Sequence, residues 1–346
     1  MKTSLRRLGV LTGVSLLLGI STMVSPAQAA HTVVLECGAI ITENTVLGAN
    51  VGPCGNEELG DGHGQDGHAL RVRASNITID LNGYTIFGLG GLEVAHQAAG
   101  IKIEQQNNVT IFSSRPGGTI RDFFHGVWIL GGSGNQVGNL NIIDNNDGSP
   151  PGGGNGIVMQ NAVNSKIVNN VVDRSGGFGG ISVFNDRRVP PCCPQLAEDN
   201  LIRGNIVRNA AGRAATVGIS IEGSSRDRIE GNKVEGSAGH GIRLTFNTSA
   251  TRVINNEVRT SGNDGIHLAV DIVSGRGASR NLVQGNSVGR NAGDGIQISG
   301  HDNRILDNTS LQNVGFDLLD TNPNCDNNIW SGNVFGTASP DCVTAP

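Results

Sequence analysis

One row recurs along the chain: a glycine, an aliphatic residue, one variable residue, then a second aliphatic. It reads Gly241-Ile242-Arg243-Leu244, Gly265-Ile266-His267-Leu268 and Gly295-Ile296-Gln297-Ile298, and upstream Gly100-Ile101, Gly126-Val127, Gly156-Ile157, Gly180-Ile181 and Gly218-Ile219 open the same row. Each row leads to a second signature ending in asparagine, at Asn170, Asn205, Asn232, Asn256, Asn286, Asn308 and Asn333. Successive row glycines lie 26, 30, 24, 38, 23, 24 and 30 residues apart, so loops of varying length hang on a constant frame. Self-similarity at this period marks a repeat architecture.

The elements within a repeat are strands. Residues 75–86 alternate apolar and polar positions and turn at Asn82-Gly83, a period-two pattern with β-branched residues and Gly/Asn punctuation. A sandwich or barrel has no reason to return the same pairs in fixed order. A leucine-rich solenoid fails because leucine is scarce at the repeat positions and no segment has helical period. The pattern predicts an all-β, single-stranded right-handed parallel β-helix whose coils stack about 4.8 Å apart. Ile266 and Leu268 should point inward, on Ile242 and Leu244 below and under Ile296 and Ile298 above. Asparagine at one bend should form a ladder of side-chain amides, and the row glycines are read as serving the backbone angles of a tight bend.

Residues 1–30 read as a secretory signal. Lys2, Arg6 and Arg7 precede an apolar run too short to span a bilayer, and Ala27-Gln28-Ala29 supplies a cleavage site. A Sec route is favoured over a twin-arginine one. Removing those three cations from the formal −5 leaves −8, which argues against nucleic acid as a partner. No other stretch reads as a membrane span, and a secreted monomer is expected. The remainder divides into an N-terminal cap and loop (31–68), β-helix coils (69–314) and a C-terminal coil and cap (315–346). Six cysteines in an exported chain favour disulfides. Cys37 should pair with Cys54, and Cys325 with Cys342, each closing a loop that plugs one end of the stack. Cys192 and Cys193 lie in the longest insertion, where a bond between neighbours would be strained. The segment from Gly60 to His68 reads as a flexible loop, with a metal site of Asp61, His63, Asp66 and His68 as the alternative.

Residues 76–86, the repeated glycine rows and the closing Cys325…Asn328-Ile329-Trp330-Ser331-Gly332-Asn333…Cys342 resemble secreted bacterial right-handed parallel β-helix repeat proteins, of the pectate-lyase-like superfold. The likeness covers roughly 69–342. It implies the fold and leaves the activity open, since pectate lyases, polygalacturonases, alginate lyases, mannuronan epimerases and a periplasmic protein of copper-enzyme maturation share it. Gly239-His240-Gly241 matches one polygalacturonase signature, but the paired aspartates before it and the Arg-Ile-Lys after it are missing. The Asp-Pro-His-Glu/Asp motif of the mannuronan epimerases is also absent. No specific enzyme family is matched.

Candidate chemistry lies on the outward face. The variable positions give a row of Lys102, Trp128, Val158, Ser182, Ser220, Arg243, His267 and Gln297. The positions before the glycines give His125, Asn155, Gly179, Val217, His240, Asp264 and Asp294, and Glu104, Gln160 and Glu222 follow the second aliphatic. His240, Arg243, Asp264, His267, Asp294 and Gln297 should therefore converge within three coils. Three readings stay open. A polyuronate lyase or epimerase would use Arg243 for the sugar carboxylate and His267 or His240 for the proton. A glycosidase would pair Asp264 with Asp294. A polar face that binds glycan, or serves as surface structure without turnover, needs neither. Trp128 beside His125 is a candidate sugar platform, with Lys102, Glu222 and Gln297 as further substrate contacts. An acidic polysaccharide is the expected partner. Calcium is a candidate cofactor through Asp264, Asp294 and Glu222, though no spacing defines a metal site, and the turn from Asp144 to Gly148 has a similar ligand-like composition.

Overall fold

The computed structural model describes residues 31–55, 67–90, 98–145, 153–186, 196–211, 216–271, 275–322 and 324–344. Among them the chain winds through three parallel sheets of twelve, eleven and twelve strands. Each coil adds one strand to each. The first sheet runs from His31–Val33 to Ile329–Ser331, the second from Val51–Cys54 to Val334–Phe335. The third, from Ala39–Ile41 to Ala338–Ser339, carries the glycine rows. No α-helix occurs among the described residues. The expected register holds: Ile266 pairs with Ile242 and Ile296, Leu268 with Leu244 and Ile298, and all six are fully buried. One contiguous aliphatic core runs from Ile41 to Val343.

The bends carry more polar order than the sequence suggests. Between the first and second sheets Asn170, Asn205, Asn232, Asn256, Asn286, Asn308 and Asn333 form the expected ladder, each amide donating to the next Oδ1 at 2.9–3.1 Å. A second stack includes Asn135, Ser165, Asn200, Asp227, Thr251, Asn281, Asn303 and Asn328. In both stacks a side-chain oxygen accepts a backbone N–H of the preceding coil, which satisfies groups the bend would otherwise strand.

The row glycines do a different job from the one expected. None has a positive φ. A Cβ on Gly241 would lie 2.2 Å from Val258 Cγ1 and 2.6 Å from the Gly265 carbonyl oxygen, so the row is glycine because the corner of the core has no room. The left-handed bend angle falls one residue before each ladder asparagine instead, as at Asn255 (φ 55°) and Gly285 (φ 66°), residue types that tolerate it.

Both predicted disulfides are present, Cys37–Cys54 and Cys325–Cys342. The expected N-terminal cap is itself part of the stack, because strands Ala39–Ile41, Thr45–Leu47 and Val51–Cys54 place one residue run on all three sheets. The signal segment, Asp61, His63, Asp66, and Cys192 and Cys193 lie outside the described residues. Among the described residues no helix is long and apolar enough to cross a membrane.

Candidate functional site

The third sheet changes character along its length. From Ala99–Glu104 to Val217–Glu222 its strands have six residues; from Ile242–Thr245 onward they have two to four. The outward row is in register throughout, Lys102–Trp128–Val158–Ser182–Ser220–Arg243–His267–Gln297. The positions before the glycines do not stay equivalent. His125, Asn155, Gly179 and Val217 belong to the long strands, whereas His240, Asp264 and Asp294 sit in bends before the short ones.

A cleft of about 590 Å³ lies over the long strands, lined by Lys102, Trp128, Gln160, Phe178, Phe184 and Asp186 among others. Trp128 is largely buried. Its Nε1 donates to Gln160 Oε1 at 3.2 Å, and the Lys102 ammonium sits 4.4 Å from its ring centroid, a cation–π contact. It forms a wall more than an open platform. His125 is buried beside it, and burial together with the Lys102 charge pushes its pKa down to about 3, so it is neutral. Asn155 links it toward Ser182, whose hydroxyl donates to Asn155 Oδ1 at 2.6 Å. The open aromatic surface belongs to Phe178, 53% exposed, a residue the repeat pattern does not single out. A usable signal was the crowding of Phe124, Trp128, Phe178 and Phe184 in one region of a chain only 3% aromatic. A second depression of about 460 Å³ adjoins the cleft through Phe184, Asp186 and Glu222 and reaches Phe246. Asp186 and Leu196, the flanks of the cysteine-bearing insertion, line this groove.

Over the short strands the predicted cluster assembles in part. His240 Nδ1 lies 3.1 Å and His267 Nδ1 3.4 Å from Asp264 Oδ2, and His267 Nδ1 lies 3.4 Å from His240 Nε2. Burial, then the neighbouring His240, pushes His267 down to about 3, with Asp264 opposing. Burial would raise Asp264, but the His240 contact and the Asp294 N–H outweigh it and hold the carboxyl below its usual range. Arg243, whose charge also lowers the His267 pKa, donates to Glu222 Oε1 at 2.8 Å, where Ser220 also donates. Asp294 is part of the bend order: Asp264 Oδ1 accepts the Asp294 N–H at 2.8 Å and Asp294 Oδ1 accepts the Phe316 N–H at 2.7 Å. Burial raises the Asp294 pKa. Gln297 stands one coil beyond His267. Of the turn from Asp144 to Gly148, Asp144 is held by Arg174 and Asn145 hydrogen-bonds between coils.

The arrangement constrains chemistry. An imidazole whose pKa is pushed well below its usual value is a weak base and removes protons poorly. Asp264 and Asp294 are committed to backbone amides in successive bends, not set across a shared opening. Among the described residues the one group able to gather around a metal is His240, Asp264 and His267. Its two nitrogens differ from the oxygen-rich set calcium takes.

The fold and this face define a right-handed parallel β-helix protein. The family model described as the right handed beta helix region matches residues 72–258, and the chain belongs to that family. A model described as periplasmic copper-binding protein (NosD) matches residues 193–339. No curated protein matches the chain in sequence. Similar solved structures include the Dettilon tailspike protein (13% identity, TM-score 0.61, 89% of this chain and 60% of the tailspike) and an exopolygalacturonase from Thermotoga maritima (12%, 0.54, 82% and 79%). A mannuronan C-5 epimerase module from Azotobacter vinelandii is also similar (13%, 0.50, 84% and 79%). The chain thus spans about three fifths of the tailspike's length. The two disulfides belong to an oxidising, extracytoplasmic compartment.

Proposed function

We propose that this protein is a secreted polysaccharide-binding β-helix that holds a glycan strand in the cleft over the long strands of the third sheet. The observation that carries the reading is the lining. Aromatic faces at Phe178 and Phe184 stand beside Gln160, Asn155 and Ser182, a mixture suited to the apolar faces and hydroxyls of sugar rings. The polygalacturonase and the epimerase module named above, both named for polysaccharide chemistry, support this reading at the level of fold.

The charge of the lining sharpens the substrate class. Lys102 is the one cation among the described lining residues, against Asp186 and Glu222. Arg243, the other cation of the row, is engaged by Glu222. Lys102 itself lies 3.8 Å from Glu104 Oε1 and against the Trp128 ring, so the cleft suits a neutral or sparsely charged glycan better than a polyuronate. The depressed pKa of His267 and the engaged Arg243 favour binding over proton abstraction beside a carboxylate.

A glycan panel tests this. Purified protein is titrated calorimetrically with neutral glucans, sparsely acidic heteroglycans and polyuronates, while ultraviolet absorbance of unsaturated product and new reducing ends are followed. Saturable binding to a neutral or sparsely charged glycan without product supports the proposal. New ultraviolet absorbance on a polyuronate would replace it with a lyase reading, and new reducing ends alone with a hydrolase one.

A further inference from the structure

We propose that His240, Asp264 and His267 form a binding site for one divalent transition-metal ion, of the Zn²⁺ or Cu²⁺ class. The site lies beyond the glycan cleft, and its existence does not depend on what the cleft binds.

The geometry has three parts. First, the donor atoms are gathered: a ring nitrogen of each histidine and one carboxylate oxygen all lie within 4.8 Å of one another. The contacts to Asp264 Oδ2, 3.1 Å from His240 Nδ1 and 3.4 Å from His267 Nδ1, match the ligand-to-ligand spacing of a small metal. Metal–ligand bonds of about 2.0–2.1 Å in a tetrahedron set those edges at about 3.3 Å. Second, proximity has not produced the expected hydrogen bond. His240 Nδ1 is buried and has no aligned hydrogen-bond partner, although Asp264 Oδ2 is 3.1 Å away. Third, groups that would orient the ligands are in place. Asp264 Oδ1 accepts the Asp294 N–H at 2.8 Å, which fixes the carboxylate and leaves Oδ2 toward the imidazoles. The Asn263 side-chain amide lies 3.3 Å from His240 Nε2, where its oxygen, after an amide flip, can accept the N–H of a ring coordinating through Nδ1.

The solenoid explains how the site arises. His240 and Asp264 occupy the same bend slot on successive coils, and His267 is the outward residue of the strand after Asp264. Two imidazoles and one carboxylate, with no sulfur, select a borderline metal over calcium or a copper(I) site. Both imidazole side chains keep some exposure, 12% and 16%, so solvent can complete the shell. The nearest fixed cation, Arg243, is balanced by Glu222.

The test uses untagged, chelator-stripped full-length protein titrated calorimetrically with Zn²⁺, Cu²⁺ and Ca²⁺, and with Co²⁺ followed by visible absorption. One equivalent of Zn²⁺ or Cu²⁺ should bind, Ca²⁺ should not compete, and Co²⁺ should give d–d bands of a low-coordinate nitrogen/oxygen site. His267→Ala should weaken binding at least 100-fold and abolish those bands. Asp264→Asn keeps the oxygen that accepts the Asp294 N–H, so it separates lost ligation from lost folding, and it should weaken binding while the apo protein still melts cooperatively. No stoichiometric binding by the wild type would overturn the proposal, as would binding that survives in His267→Ala and Asp264→Asn alike.

Discussion

The two halves of the third sheet share a core and differ on the surface. In both, the inward aliphatics are fully buried and the row glycine sits in a corner with no room for a side chain: a Cβ on Gly156 would lie 2.5 Å from Val172 Cγ1, and on Gly241 2.2 Å from Val258 Cγ1. Outside the core the halves diverge. Long strands carry His125 and Asn155 within the sheet beneath a cleft, and burial there keeps His125 neutral. Short strands release the equivalent slot into a bend, where His240 and Asp264 stack and meet His267. The lesson is that the same slot yields a cleft floor or a ligand-like cluster according to where the strand begins.

If the shared core is what holds both halves, the largest effect comes from breaching it. Ile266→Asp puts an unpaired charge at a fully buried position and should abolish folding, since such burial costs several kcal/mol. His267→Ala, next to it on the outward side, should leave the melting temperature nearly unchanged. Circular dichroism melts of the two variants check this, and equal loss would break the inward/outward division.

Next come the glycine corners. Gly156→Ala and Gly241→Ala should each cost about 3 kcal/mol through overpacking, one in each half. Gly231→Ala, at φ 60° with open space around it, should cost about 1 kcal/mol. Denaturant midpoints would reveal the order. A cheap change at Gly156 with a costly one at Gly241 would mean that the two halves do not share one corner geometry.

A smaller effect isolates the bend stacks. Asp227 stands where Asn200, Asn281 and Asn303 stand in other coils, and burial raises its pKa to about 6. A carboxyl whose folded pKa is raised destabilises the protein above that pKa, and the penalty is relieved as pH falls through 6 toward the unfolded value of 3.8. Asp227→Asn should therefore stabilise by roughly 1–3 kcal/mol at pH 7, with the gain vanishing near pH 4. Melting curves across that range check the sign.

The core and the register were legible in the sequence because both are periodic. An aliphatic pair that returns in order fixes inward and outward sides, and with them the whole outward row from Lys102 to Gln297. The convergence of His240, Asp264 and His267 followed from the same arithmetic. Three features did not follow. The glycine's role is steric, and only the packed Val258 and the Gly265 carbonyl reveal it. Arg243 is taken by Glu222, a partner on the preceding coil, which requires rotamers that spacing does not specify. The cleft depends on six-residue strands and on Phe178, and strand length is set by contacts between coils rather than by the row motif itself.

On the proposed function the glycan lies on the long-strand half. Calorimetric affinity for the best glycan of the panel, measured on wild type, Phe178→Ala and His267→Ala, tests it most directly. Phe178 is half exposed at the cleft, so its truncation should weaken binding at least tenfold, about 1.4 kcal/mol, without moving the melting temperature. His267→Ala should bind as wild type does. Unchanged affinity in Phe178→Ala with loss in His267→Ala would contradict the account and move the glycan to the short-strand half.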